Sequence, residues 1–118
     1  MISLRDTNKP KCTVDPGIEE LAEDLKAISD PNRLRIICLL SQGERCACEV
    51  DGALGISQQL ASHHLNVLKE RGLLSVRREG TSSYYSVSRD RLKQVNDIFA
   101  EYLDYRKVKT GLKSKVKC

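Results

Sequence analysis

The stretch from Ser57 to Gly72 constrains the fold more than any other part of this 118-residue chain. Leu60, Leu65 and Leu68, with Ala61 and His64 alongside, fall on one side at helical spacing, while Gln58, Gln59, Ser62, His63, Asn66 and Lys69 occupy the rest. Ser57 suits an N-cap and Gly72 a C′ position, so the spacing predicts a helix from about Gln58 to Arg71. Its outer face is rich in Gln, Ser, His and Asn, short groups that both donate and accept hydrogen bonds. That is the vocabulary that reads base edges in a major groove; a merely solvated face would carry more Glu and Lys.

The neighbours of this helix complete a pattern. Cys46 to Leu54 reads as a short, less regular helix with Val50 and Leu54 as its core contacts, and Gly55 opens a turn of about three residues before the organising helix. Two helices joined in this way, the second polar on its outer face, make a helix-turn-helix. After Gly72, Leu74 and Val76 alternate with Ser75 and Arg77, and Tyr85 and Val87 with Tyr84 and Ser86, the two-residue period of half-buried strands. Gly80 lies near the tip of the hairpin they imply. Arg77, Arg78, Thr81, Ser82 and Ser83 give that tip phosphate-contacting groups, as in the wing of a winged helix.

The expected fold is therefore mainly α with a β-hairpin wing, in three parts: an arm over residues 1–14, a winged helix-turn-helix domain over 15–109 and a basic tail over 110–118. Asp15-Pro16 and Asp30-Pro31 each pair an N-cap with the residue favoured at the first helical turn. They start a first helix with the stripe Ile18, Leu21, Ala22, Leu25 and Ile28, and a second from Pro31 to about Ser41. In the second, Leu34, Ile36, Ile37, Cys38 and Leu40 span too wide an arc for a surface helix, so it is expected in the core with Cys38. Ser88 caps a last helix whose Leu92, Val95, Ile98, Phe99, Tyr102 and Leu103 repeat in steps of three and four, to about Lys109.

A chain of this size buries only about 60–70% of its unfolded surface. The first and last helices offer more apolar face than one small core needs, which points to a homodimer formed through them. The net charge of +4 resides in the tail, because six bases and no acid lie between Arg106 and Lys117. Neither a signal peptide nor a membrane-length apolar run is present, so a cytoplasmic protein with reduced thiols is expected. There is no phosphate-cradling glycine loop, paired-carboxylate site or nucleophile elbow to argue for an enzyme.

Five cysteines, Cys12, Cys38, Cys46, Cys48 and Cys118, are then better read as ligands or redox sensors than as a disulfide framework. Cys46 and Cys48 are two residues apart. On an ideal helix they would point about 200° apart, so joint chelation requires an open or distorted first turn. Such a requirement suggests a switch acting on the recognition helix that follows. Two soft thiolates select Zn(II), Cd(II), Pb(II), Cu(I) or As(III) species over Mg(II) and Ca(II). Cys12 on the arm leads as third ligand, ahead of Cys118, with Asp51, His63 and His64 as harder alternatives.

The runs Asp30-Pro31-Asn32-Arg33-Leu34-Arg35-Ile36, Glu44-Arg45-Cys46-Ala47-Cys48-Glu49-Val50, Ser62-His63-His64-Leu65, Gly72-Leu73-Leu74 and Arg78-Glu79-Gly80, with Leu68 and Tyr84-Tyr85, resemble the ArsR/SmtB family of metal-sensing winged-helix repressors along residues 16–106. The resemblance implies a homodimer that represses metal efflux or detoxification operons and leaves DNA when its inducer binds. It carries DNA contacts over to Gln58, Gln59, Ser62, His63 and Arg78. The Cys-x-Cys pair is similar to that of arsenical repressors and of cadmium/lead sensors. Where arsenical repressors often have a third cysteine this chain has Asp51, and its arm holds one cysteine rather than two. The Asp-x-His and His-x-x-Glu ligands of zinc-sensing members are missing from the last helix, where Arg89 and Arg91 stand near the first pair.

The expectation is a repressor bound to double-stranded operator DNA and released when arsenite or antimonite binds Cys46, Cys48 and Cys12. Alternatives are induction by Cd(II), Pb(II) or Zn(II), a thiol-redox switch on the same fold, and a small thiol enzyme or metallochaperone. The recognition helix and wing argue against the last.

Overall fold

The computed structural model describes residues 9–117; the first eight residues of the arm and Cys118 lie outside them. Helix α1 runs over Gly17–Ile28 with Pro16, rather than Asp15, at the N-cap position, and Asp15 Oδ1 accepts from Gly17 N at 2.8 Å from one residue further out. Asp30 accepts from the amides of Asn32 and Arg33 at 2.8 and 3.2 Å and starts α2, Pro31–Leu40. Each Asp neutralises amide donors that a helix start leaves unpaired. Helices α3, Ala47–Leu54, and α4, Gln58–Glu70, flank a turn at Gly55, whose φ of 67° is a conformation glycine adopts without a Cβ clash. The hairpin of β2, Leu74–Glu79, and β3, Ser82–Val87, leads into α5, Arg89–Tyr102.

A strand not expected from the sequence precedes α3. Residues Arg45–Cys46 form β1, which pairs antiparallel with β3 so that Arg45 lies opposite Tyr85 and Cys46 opposite Tyr84. The sheet order is β1-β3-β2. The core sits beneath it, where Ile36 and Leu40 of α2, Val50 of α3, Ala61, Leu65 and Leu68 of α4, and Leu73 and Leu74 converge with Leu21 and Val95. This is the winged helix-turn-helix architecture that the periodicities imply.

Three expectations need correction. Cys38 is exposed and lies outside the core, as does Leu34 at 53% exposure, because α2 buries only the face carrying Ile36 and Leu40. Leu60 is likewise at the edge of the packed side of α4 rather than within it, at 39% exposure. The last helix stops at Tyr102 rather than near Lys109. Leu103 leaves helical geometry (φ −123°, ψ 37°), and Asp104 caps a separate 3₁₀ turn, Tyr105–Lys107, accepting from Arg106 N and gripping the Arg106 guanidinium. A further 3₁₀ turn, Lys11–Thr13, gives the end of the arm local structure, and Lys11 pairs with Glu101 of α5.

One buried charge closes the fold. Asp24 of α1 is 3% exposed, and its Oδ1 accepts from Arg71 Nε at 3.0 Å, Arg71 Nη2 at 2.8 Å and Arg91 Nη2 at 2.7 Å. A carboxylate out of water is tolerable only when paired in this way, and removing a member strands the others. Asp24→Asn should therefore cost about 3 kcal/mol in urea unfolding. Glu20→Gln, which loses only an exposed contact to Arg71, should leave the midpoint unchanged within error.

Candidate nucleic-acid interface and thiol pair

Ser57 Oγ accepts from Leu60 N at 3.1 Å and fixes where α4 begins, which sets the phase of every side chain on it. Ala61, His64, Leu65 and Leu68 are buried, and Gln58, Gln59, Ser62, His63, Asn66 and Lys69 are exposed on the opposite side. Asn66 donates to Glu70 at 3.1 Å. His64 is packed between Asp30, 3.8 Å from Nε2, and Arg33, 3.4 Å from Nδ1, and so joins the start of α2 to the middle of α4. Burial above all pushes its pKa below the ordinary histidine value; Asp30 opposes this, whereas Arg33 and His63 add to it. A neutral imidazole at that junction keeps α4 seated without placing a charge in the core.

In the wing, the two basic candidates are held differently. Arg78 is exposed, with a 3.4 Å contact to Ser83 Oγ. Arg77 donates from Nη2 to Glu44 Oε1 at 2.8 Å and from Nε to Glu44 Oε2 at 3.2 Å, donates from Nη1 to Glu79, and lies 4.6 Å over the Tyr84 ring. Gly80, at φ 62°, allows the two-residue turn that lets the strands run out to Glu79 and Ser82.

The thiols of Cys46 and Cys48 approach to 2.6 Å. The open first turn that joint chelation requires is present, because Cys46 is not helical. It ends β1 with extended backbone (φ −65°, ψ 142°) and serves as N-cap of α3, while Cys48 lies in the first turn. Glu49 Oε1 accepts from Cys46 N at 3.2 Å and fastens the junction. Cys46 is buried and Cys48 exposed. The hydrogen bond to Cys46, then burial and the charges of Cys46 and Glu49, hold the Cys48 thiol above its ordinary pKa. Two adjacent soft donors at a half-open junction fit a thiophilic ion.

The structure does not bring the third candidate to them. Cys12 lies in the Lys11–Thr13 turn near the end of α5, where Tyr102 bonds Asp15. Among the described residues, no three His, Cys, Asp or Glu side chains converge as a metal-binding group, so neither Asp51 nor the histidines complete a site within the protomer. Cys118 falls outside the described residues. The sequence reading also missed Asp24, Arg71 and Glu44. A signal existed for Asp24, which occupies the phase of the α1 apolar stripe, three residues from both Leu21 and Ala27.

Comparison with known proteins agrees with this geometry. The family model described as "Bacterial regulatory protein, arsR family" matches residues 30–76, from the cap of α2 into β2. A helix-turn-helix transcriptional regulator of Methanocaldococcus jannaschii is 42% identical over 78 residues, 65% of this chain and 88% of that protein. An arsenical resistance operon repressor of Staphylococcus xylosus is 38% identical over 78 residues, 66% of this chain and 75% of the relative. A homolog of the cadmium resistance regulator CadC from Staphylococcus aureus is 40% identical over 77 residues, 64% of each chain, so just under two thirds of that relative is spanned. Among solved structures, a homodimeric winged helix-turn-helix DNA-binding domain from Mycobacterium bovis superposes with a TM-score of 0.62 at 29% identity, covering 89% of this chain and 93% of that one.

Exposure and hydrogen bonding order the thiols by reactivity. In time-resolved alkylation at neutral pH followed by peptide mass spectrometry, Cys38 should label ahead of Cys48 and Cys46 last. Labelling of Cys46 as fast as Cys38 would contradict the junction described.

Proposed function

The chain belongs to the arsR family of bacterial regulatory proteins, which are DNA-binding transcriptional regulators rather than enzymes, and from that premise we propose that it is a homodimeric repressor induced by a thiophilic ion. In this reading residues 15–109 form the body, α1 and α5 make the dimer interface, and the arm and the 110–118 tail are appendages. Phe99 and Leu103 support the interface: they stay 43% and 55% exposed in the single chain. Gln58, Gln59, Ser62, His63 and Asn66 read bases from α4 in the major groove, while Lys69, Arg77 and Arg78 meet phosphates.

The observation that carries the induction is the convergence of Cys46 and Cys48 at the β1–α3 junction, one short helix ahead of α4. An ion bound there acts on the element that seats the recognition helix, and so favours a state that grips DNA less well. Arsenite, or antimonite, is the preferred inducer, with Cys12 from the arm of either protomer as the third thiolate; three sulfurs suit pyramidal As(III) better than four-coordinate Zn(II) or Cd(II). Cd(II), Pb(II) and Zn(II) are the alternatives. The proximity of the two thiols also supports a second reading, in which an oxidant acts on the pair and the same junction responds.

Gln58→Ala, Ser62→Ala or His63→Ala should each weaken specific operator binding by about 1–3 kcal/mol with dimerisation unchanged. Wild-type affinity in all three would remove α4 as the reader. Cys46→Ser and Cys48→Ser should bind the operator normally yet stay on it when arsenite is added, read by fluorescence anisotropy of labelled DNA. Release of either variant at the wild-type arsenite concentration would place the sensing site elsewhere.

A further inference from the structure

We propose that Glu44 couples the Cys46–Cys48 pair to the wing, so that capture of an ion is transmitted to the operator through Arg77 as well as through α3. The inference rests on the reading of the thiol pair as the inducer site. Arg77 touches both neighbours of Cys46: Glu44, two residues before it in the chain, and Tyr84, the residue opposite it across the β1·β3 ladder. Glu44 takes the guanidinium in two roughly parallel bonds of 2.8 and 3.2 Å, a planar fork that fixes orientation as well as distance.

The stretch between the two ends of this linkage is short and extended. Glu44 is followed at once by β1, only two residues long, and Cys46 is both its last residue and the cap of α3. A shift of Cys46 imposed by an ion across the two sulfurs must therefore move Glu44, the register partner Tyr84, or both. Either movement changes the position of Arg77 in β2, and with it the adjacent Arg78 on the exposed wing. Glu79 also binds Arg77, but from the hairpin tip, with no backbone connection to the thiols. Glu44 is thus a positioning residue for the response, and Glu79 is its natural control: the same charge and the same partner, but on the far side.

The test uses phenylarsine oxide, whose arsenic needs only two thiols. It forms two As–S bonds as the two thiol protons leave with its oxygen as water, and arsenic stays As(III). The quantity read is the ratio of operator Kd with saturating reagent to Kd without it, for the full-length wild type, Glu44→Gln and Glu79→Gln. A uniform change in operator affinity from losing a negative charge cancels in that ratio. Glu44→Gln should lower the ratio by about threefold or more while its affinity for the reagent in the absence of DNA is unchanged, and Glu79→Gln should keep the wild-type ratio. An unchanged ratio in Glu44→Gln, or an equal fall in both variants, overturns the coupling. Failure of the underlying reading looks different: Cys46→Ser and Cys48→Ser would then still be released by the reagent, whatever residue 44 is, and the coupling would fall with it.

Discussion

The fold depends on one carboxylate that has no water to hold it. Asp24 would be costly inside the protein on its own, and the two guanidiniums that satisfy it come from either side of the β2–β3 hairpin, the C-cap residue of α4 and the first turn of α5. Apolar contacts can slide by a fraction of an ångström at little cost. Three hydrogen bonds to a single oxygen cannot, so the end of α4 is fixed against α1 and α5 in angle as well as distance. Because α1 and α5 are the helices proposed to meet a second copy, the recognition helix is referenced to the dimer frame rather than only to its own core.

At its other end α4 follows α3 across the Gly55 turn. Its start hangs on Ser57, the Gly55 turn and α3, an eight-residue helix that carries Gly52 and has Val50 as its fully buried residue. The thiol pair sits where that helix begins. With the Asp24 cluster at one end of α4 and the thiol junction one short helix ahead of the other, an ion bound as proposed would bias the helix from the end that those charges do not hold.

Much of this was legible in the amino-acid order, and the parts that were not share a cause. The caps at Asp30, Ser57 and Ser88, the Gly55 turn and the hairpin around Gly80 are local signals, and each appears where its chemistry places it. Strand β1 was invisible because two residues show no periodicity; it exists only because β3 has an unpaired side for Arg45 and Cys46 to join. Cys38 was misplaced because an apolar run does not say which arc of a helix the neighbours will cover. The end of α5 was overrun because the apolar spacing continues past Tyr102, whereas Asp104 starts a new turn with its own cap. For the candidate site, the α4 face was readable from phase alone. The approach of the two thiols was not, since it depends on Cys46 being strand rather than helix.

The sheet order has a consequence for how the protein behaves in a crowded cell. With β1 and β2 on either side of β3, strand β2 is, among the described residues, an open edge of the kind that an extended chain can pair with. That edge carries Arg77, Arg78 and Glu79 in succession, and a foreign strand docking there would have to strip water from all three. The charges proposed to meet phosphate therefore also disfavour the addition of a foreign strand along this edge of the wing.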